Sequence, residues 1–342
     1  MIIILFIVAL LLAYSNGAND NFKGVATLFG SKTTTYKKAI NWATITTFAG
    51  SVTAIFLAGE LVKNFSGKGL VPDELLQTSP EFAISIALGA AVTVLIATKI
   101  GMPISSTHSL VGGLFGAGVM AIGSDFNYGK LIDKFLFPLI ASPLMAAVVA
   151  LVVYFIFTNI RKKAKIKKTI PTENETVADE KYLGESFGIK NQKILDILHF
   201  ISSGIVSFAR GLNDTPKIVG LLLIIHQLDI RIGMISVAIA MAIGGLINAK
   251  KVGTIISKKI TPMSSGQGLT ANLITGLLVT TASVHGMPVS TTHVSIGSIF
   301  GIGTITRKAN FGVVKKILVS WVLTLPIAAI LSGLVYFLLS QL

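Results

Sequence analysis

Gly101-Met-Pro-Ile-Ser-Ser-Thr-His108 and Gly286-Met-Pro-Val-Ser-Thr-Thr-His293 are one octapeptide written twice, identical at six of eight positions and 185 residues apart. Each is followed by a glycine-rich apolar run, LVGGLFGAG after the first and VSIGSIFGIG after the second. A repeat at this distance in 342 residues marks a duplicated chain, whose activity is expected where the copies meet. In the first copy Pro103 lacks an N–H and restricts the residue before it, so a helix arriving at Ile100 has to stop. Ser105, Ser106 and Thr107 are N-cap types for a new helix beginning near His108. Pro288 and Ser290-Thr291-Thr292 repeat the plan. Each unit reads as a helical hairpin with hydroxyls and free backbone N–H groups at its tip. Helix N-termini carry partial positive charge and suit anions. Capping alone is ordinary for one copy; two matched polar breaks at membrane depth point to a site.

The membrane setting follows from composition. The chain is 52% hydrophobic and 13% charged, with several apolar runs near the roughly 20 residues that span a bilayer. It has no cysteine, which excludes disulfides, thiolate metal sites and thiol catalysis. A net charge of +14 fits lysine- and arginine-rich cytoplasmic loops better than nucleic-acid binding. Residues 1–15 have the apolar character of a signal-peptide core, but no basic residue precedes them and the Asn-Asp that follows recurs mid-chain.

The expected fold is an all-α polytopic membrane protein of two inverted-topology repeats. Each repeat has three crossings, the first interrupted, and one re-entrant hairpin. Residues 1–158 form the first repeat: a crossing over 1–30 broken near Gly17–Asp20, crossings over 40–59 and 135–158, and a hairpin over 82–123. Residues 159–193, with RKKAKIKK followed by a mixed-charge stretch, read as a cytoplasmic linker. Residues 194–342 repeat the plan: a crossing over 194–225 broken near Arg210–Asp214, crossings over 232–249 and 317–340, and a hairpin over 264–303. With the linker inside, both termini fall outside. Lys63, Lys68, Lys130, Lys134 and Arg231 are then the external basic residues, in keeping with the positive-inside rule. An odd number of crossings per half makes the hairpins enter from opposite sides, the plan of a secondary transporter.

A second matched pair lies in the first crossing of each half: Asn19-Asp20 and Asn213-Asp214. A carboxylate at membrane depth costs several kcal/mol at about the bilayer centre and points to function, and its oxygens suit a hard cation. A proton would need the carboxylate alone; a purely structural break, capped by Asn and Asp, is the plain alternative. Lys23 and Lys217 each follow their Asp by three residues. They are open to pairing with it, to contacting an anion, or to snorkelling, which is the common fate of such lysines and of Arg210. His108 and His293 are expected to bond neighbouring hydroxyls rather than relay protons. Glu81 and Gln267, ahead of the two hairpins, are either path-lining or interfacial. His199, His226 and His285 have no evident partner. The glycines after each tip are expected to permit close helix packing.

These residues resemble the inorganic phosphate transporter family, the type III sodium–phosphate cotransporters. Asn16-Gly-Ala-Asn-Asp20 and Gly211-Leu-Asn-Asp-Thr-Pro-Lys217 are similar to its paired Asn-Asp signatures, and the two octapeptides to its hairpin tips. Gly30-Ser-Lys32 and Ile260-Thr-Pro262 fit as well, so the resemblance covers nearly all but the linker. Arg210 and Leu212, Lys23 and Asn272 depart from the residues usual in that family. The resemblance implies uptake of inorganic phosphate across the cell membrane by sodium symport, with no cofactor beyond the co-transported ion and with a homodimer as the assembly. Ser105, Ser106, Thr107, Ser290, Thr291 and Thr292 would hold phosphate; Asn19, Asp20, Asn213 and Asp214 would hold sodium. The alternatives are proton-coupled uptake of phosphate or a metal–phosphate complex, and sulfate permeation. A channel and an intramembrane hydrolase fit less well: matched half-sites suit alternating access, and Ser and His two or three apart around an N-cap make a poor nucleophile–base pair. No P-loop is present to use ATP.

Overall fold

A computed structural model describes residues 1–169, 175–225, 228–259 and 262–341. His226 and Ile260-Thr261, both named above, lie outside the described residues.

Ten long helices carry the architecture, five in each half. In the first half these are α1 (Ile2–Asp20), α2 (Tyr36–Leu57), α3 (Pro80–Ile100), α4 (Ser106–Ile122) and α5 (Phe137–Lys163). In the second they are α6 (Asn191–Val219), α7 (Ile230–Asn248), α8 (Ser265–Val284), α9 (Thr291–Ile305) and α10 (Phe311–Leu339). Seven spans among the described residues are long and apolar enough to cross a membrane. Six are the expected crossings. The seventh is α3, the first arm of the first hairpin; at 21 residues it is about 31 Å long, so length and apolarity do not separate a hairpin arm from a crossing. Its counterpart α8 is nearly as long but carries Ser265, Gln267, Thr270, Asn272 and Thr275 on buried positions.

The packing repeats by pairs. α1 lies on α3 and α7, as α6 lies on α8 and α2. The hairpins exchange halves: α3 and α4 pack on α10, while α8 and α9 pack on α5. Each tip is therefore held by the opposite half's last helix, which brings both tips to the middle of the molecule.

Apolar side chains gain little from leaving lipid for another helix, so close backbone approach has to hold such a bundle. The glycine of each Asn-Asp signature provides it. A Cβ on Gly17 would lie 1.9 Å from the carbonyl oxygen of Met241 in α7, and one on Gly211 2.0 Å from that of Thr47 in α2. Gly116 and Gly301, after the tips, meet Ala329 of α10 and Ala147 of α5 in the same way. Gly211→Leu is expected to abolish monodisperse protein in detergent, because backbone rather than a movable side chain occupies the space.

The two expected breaks differ from the reading. In the first half the α-helix runs through Asp20 and gives way just beyond, to a 3₁₀ turn at Lys23–Val25 and a short helix at Ala26–Gly30. In the second half the expected break near Arg210–Asp214 is absent. α6 is continuous past Pro216 to Val219, and only one 3₁₀ turn follows, at Gly220–Leu222. Buried polar residues do not force unwinding when their partners lie across the helix interface, as they do here.

Lys32, in the loop before α2, holds Asp179 of the linker at 2.7 Å. That ammonium, with the Thr176 N–H, pulls the Asp179 carboxyl down to about 2. A depressed carboxyl contributes above its free value of 3.8 and loses its contribution as pH falls through about 2. Linker protection from protease is thus expected to be flat from pH 8 to pH 4, and to fall at every pH in Lys32→Ala.

Candidate functional site

Both tips are built as the octapeptides require. Gly101 and Gly286 take left-handed φ values of +80° and +68° just past the arriving helices. Ser105 accepts the His108 N–H at 3.1 Å and Ser290 the His293 N–H at 3.3 Å, so these two hydroxyls are the N-caps of α4 and α9. Among the six expected phosphate ligands they are therefore committed to the backbone. The other four turn into a polar cluster with α1 and α6.

There Asp20 receives Lys23, the Ser106 hydroxyl at 2.7 Å and the Asn16 amide at 3.4 Å. Asp214 receives Asn16 at 3.3 Å, Asn213 at 3.1 Å and Lys217 at 3.5 Å, with Arg210 Nε 3.5 Å away. Asn213 also donates to Thr291 at 3.3 Å and to the Val289 carbonyl at 3.1 Å. Asn19 donates to Thr98 at 2.9 Å and the Met102 carbonyl at 3.1 Å, and accepts the Ile104 N–H at 3.3 Å. Each Asn-Asp pair thus fastens its helix to its own half's tip.

The lysines join the halves. Lys23 donates to the Ile104 carbonyl at 2.6 Å in its own tip and to Thr292 at 2.6 Å in the other. Lys217 does the reverse, to the Val289 carbonyl at 2.7 Å and to Thr107 at 2.8 Å. The snorkelling expectation fails for both, and for Arg210: all three are at most 2% exposed. Each cation has carboxylate, carbonyl or hydroxyl partners within reach, which an interfacial position does not offer in so dry a setting. Arg210 donates to the Asn16 side-chain oxygen at 2.5 Å and to Asn21 at 3.1 Å. Three cations against two carboxylates leave one surplus positive charge, flanked by two helix N-termini and four hydroxyls. That composition accepts an anion.

Most of the remaining polar residues have structural partners. His108 and His293 do not bond hydroxyls as expected; their rings meet edge to face at 4.5 Å across the two halves. His293 stacks on Trp321 at 3.7 Å and shares its Nδ1 with the Leu139 carbonyl. Gln267 closes a capping box on Ser264 and reaches Tyr154. Glu81 is half-buried in the first turn of α3. His285 turns its Nδ1 to the Thr281 carbonyl. His199 bridges Thr27 at 3.0 Å and Thr33 at 3.3 Å, and Thr27 meets Asn272 at 3.0 Å. Sequence reasoning missed Asn16 as a site residue. The clue was available: Asn16 and Arg210 each precede their Asp by four residues, placing them on the Asp's helix face.

A buried, cationic, hydroxyl-lined centre between the paired halves of a helical membrane bundle defines a transporter. The family's sequence profile matches residues 16–332, and the chain belongs to the phosphate transporter family. It is a phosphate transporter, not an enzyme. Relatives include a Thermococcus kodakarensis protein named as a phosphate permease, 27% identical over 98% of this chain and 97% of its own. A Bacillus subtilis protein named as a low-affinity inorganic phosphate transporter is 28% identical over 99% of this chain and 97% of its own. A solved structure described as the sodium-dependent phosphate transporter has the same fold, with a TM-score of 0.83 at 24% identity, covering 100% of this chain and 99% of that one.

Proposed function

We propose that the chain takes up inorganic phosphate across the cell membrane as a secondary, cation-coupled transporter, holding the anion between the two hairpin tips. The supporting observation is the closed centre itself. Ser106, Thr107, Thr291 and Thr292 converge from opposite halves on a cluster with surplus positive charge, and each is at most 4% exposed. A site shut from both sides has to open alternately. The exchange of hairpins between halves supplies a rocking element, and the inverted orientation of the repeats would make its two openings equivalent. On this reading the termini are outside and the linker is cytoplasmic.

Two cations are candidates for coupling. Sodium is the one put forward by the family resemblance, at Asn19, Asp20, Asn213 and Asp214, and the solved neighbour's description names it. A proton is favoured by a separate observation: both aspartates already carry a lysine ammonium.

Labelled-phosphate uptake into proteoliposomes, with imposed sodium or proton gradients and sulfate as competitor, tests the reading. Saturable phosphate uptake that excess sulfate leaves nearly unchanged is expected. Absence of phosphate uptake under every gradient overturns it, and equal competition by sulfate reassigns the substrate. Thr107→Val or Thr292→Val should raise the KM for phosphate about tenfold, the worth of a hydrogen bond to a charged group. An unchanged KM in both moves the site away from the tips.

A further inference from the structure

Lys23 and Lys217 occupy two equivalent three-oxygen cradles. Around the Lys23 ammonium stand the Asp20 carboxylate, the Ile104 carbonyl and the Thr292 hydroxyl. Around that of Lys217 stand the Asp214 carboxylate, the Val289 carbonyl and the Thr107 hydroxyl. Each cradle draws one oxygen from the Asn-Asp helix, one from that half's own tip and one from the opposite tip. Carboxylate, carbonyl and hydroxyl oxygens are the donor types that a hard cation takes. An ammonium has three N–H donors and no acceptor, so three oxygens saturate it.

Equivalent cradles arising in both halves are hard to ascribe to a chance local contact. A free cation at such a position would neutralise the aspartate and draw the two tips together while anion is bound. The tethered ammonium does both already. It also cannot leave, because it is tethered to the chain.

Resting on the phosphate reading above, we infer that Lys23 and Lys217 are built-in counter-cations that fill the two positions a coupling metal ion would take. Phosphate uptake by this chain is therefore independent of sodium.

The experiment uses the full chain in proteoliposomes and in detergent, with choline replacing sodium at constant ionic strength. For the wild type, phosphate uptake should change less than twofold on the replacement. Its Tm should not respond to sodium. Two substitutions then separate charge from space. Lys23→Ala with Lys217→Ala empties the cradles and leaves their oxygens; this variant should gain a Tm that climbs with sodium concentration, because an ion that binds only the folded state stabilises it. Lys23→Met with Lys217→Met removes the same charges but fills the space, and its Tm should ignore sodium.

Uptake by the wild type that falls tenfold or more without sodium overturns the inference, as does an alanine variant whose Tm is indifferent to sodium. If the double alanine variant yields no folded protein, Lys23→Ala alone is read by the same Tm titration. The wild-type arms decide the sodium question in either case. Failure of phosphate uptake under every gradient removes the phosphate reading instead, and the Tm titrations still report on the cradles.

Discussion

Asp20→Asn should lower phosphate uptake at least a hundredfold, and adding Lys23→Met should restore the yield of folded protein without restoring uptake. Asp20 is the carboxylate that receives Lys23, the Ser106 hydroxyl and the Asn16 amide together. Replacing it by the amide keeps the shape but leaves a buried ammonium without its counter-charge. Breaking one side of a buried pair typically costs about 3–5 kcal/mol, a large part of the roughly 5–15 kcal/mol that holds a typical domain folded. Removing both members adds no unpaired charge beyond the one already present in the wild type, so the structural penalty is largely relieved. Transport is not relieved, because the link from α1 through Lys23 to Thr292 in the other half has gone. The checks are the monodisperse fraction on size exclusion and initial uptake rates for the two single variants and the double. Wild-type uptake in Asp20→Asn would remove this carboxylate from the transport cycle. A double variant no better folded than Asp20→Asn would show that the pair's charges are not what destabilises it.

How far the residues could be read is set by where each one's partners lie. The hairpins were legible because every determinant is local: Pro103 and Pro288 stop a helix, Gly101 and Gly286 take positive φ, and Ser105 and Ser290 cap the next helix. The meeting of Asn-Asp helices and tips was legible through the duplication, since equivalent segments of two paired halves converge. What could not be read was the fate of groups whose partners are distant in sequence. Snorkelling is the usual outcome for a lysine near a helix end. Nothing near Lys23 announces that Thr292, 269 residues away, will accept its hydrogen bond. The same holds for the absent break in α6: Asn213 and Asp214 read as unwinding residues until Val289, Thr291 and Arg210 supply their bonds. The two histidines went astray for a related reason, their ring contact being a property of the interface rather than of either tip.

Arg210→Met should weaken phosphate binding by a hundredfold or more, with a much smaller loss of folded protein than Asp20→Asn shows. Arg210 breaks the symmetry of the site, because its counterpart four residues before the first aspartate is the neutral Asn16. It is also the source of the surplus positive charge. Without it, two ammoniums face two carboxylates and the centre is neutral, so an entering phosphate gains only dipoles and hydroxyls. Inside a dry centre the lost attraction is large: a unit charge pair about 6 Å apart is worth nearly 3 kcal/mol even at an effective dielectric constant of about 20, which is about a hundredfold in affinity. Folding should suffer less because Asp214 keeps Lys217, Asn213 and Asn16 as partners, although Asn21 loses the guanidinium it now accepts from. Arg210→Lys separates charge from geometry. It keeps the surplus charge but cannot reach Asn16 and Asn21 with one planar fork, so it should recover most of the phosphate affinity and less of the stability. Calorimetric titration of phosphate into the three proteins, beside thermal unfolding without phosphate, reads the two effects apart. Equal affinity in Arg210→Met and wild type would mean that the anion is held by the tips alone and that the guanidinium only ties α1 to α6.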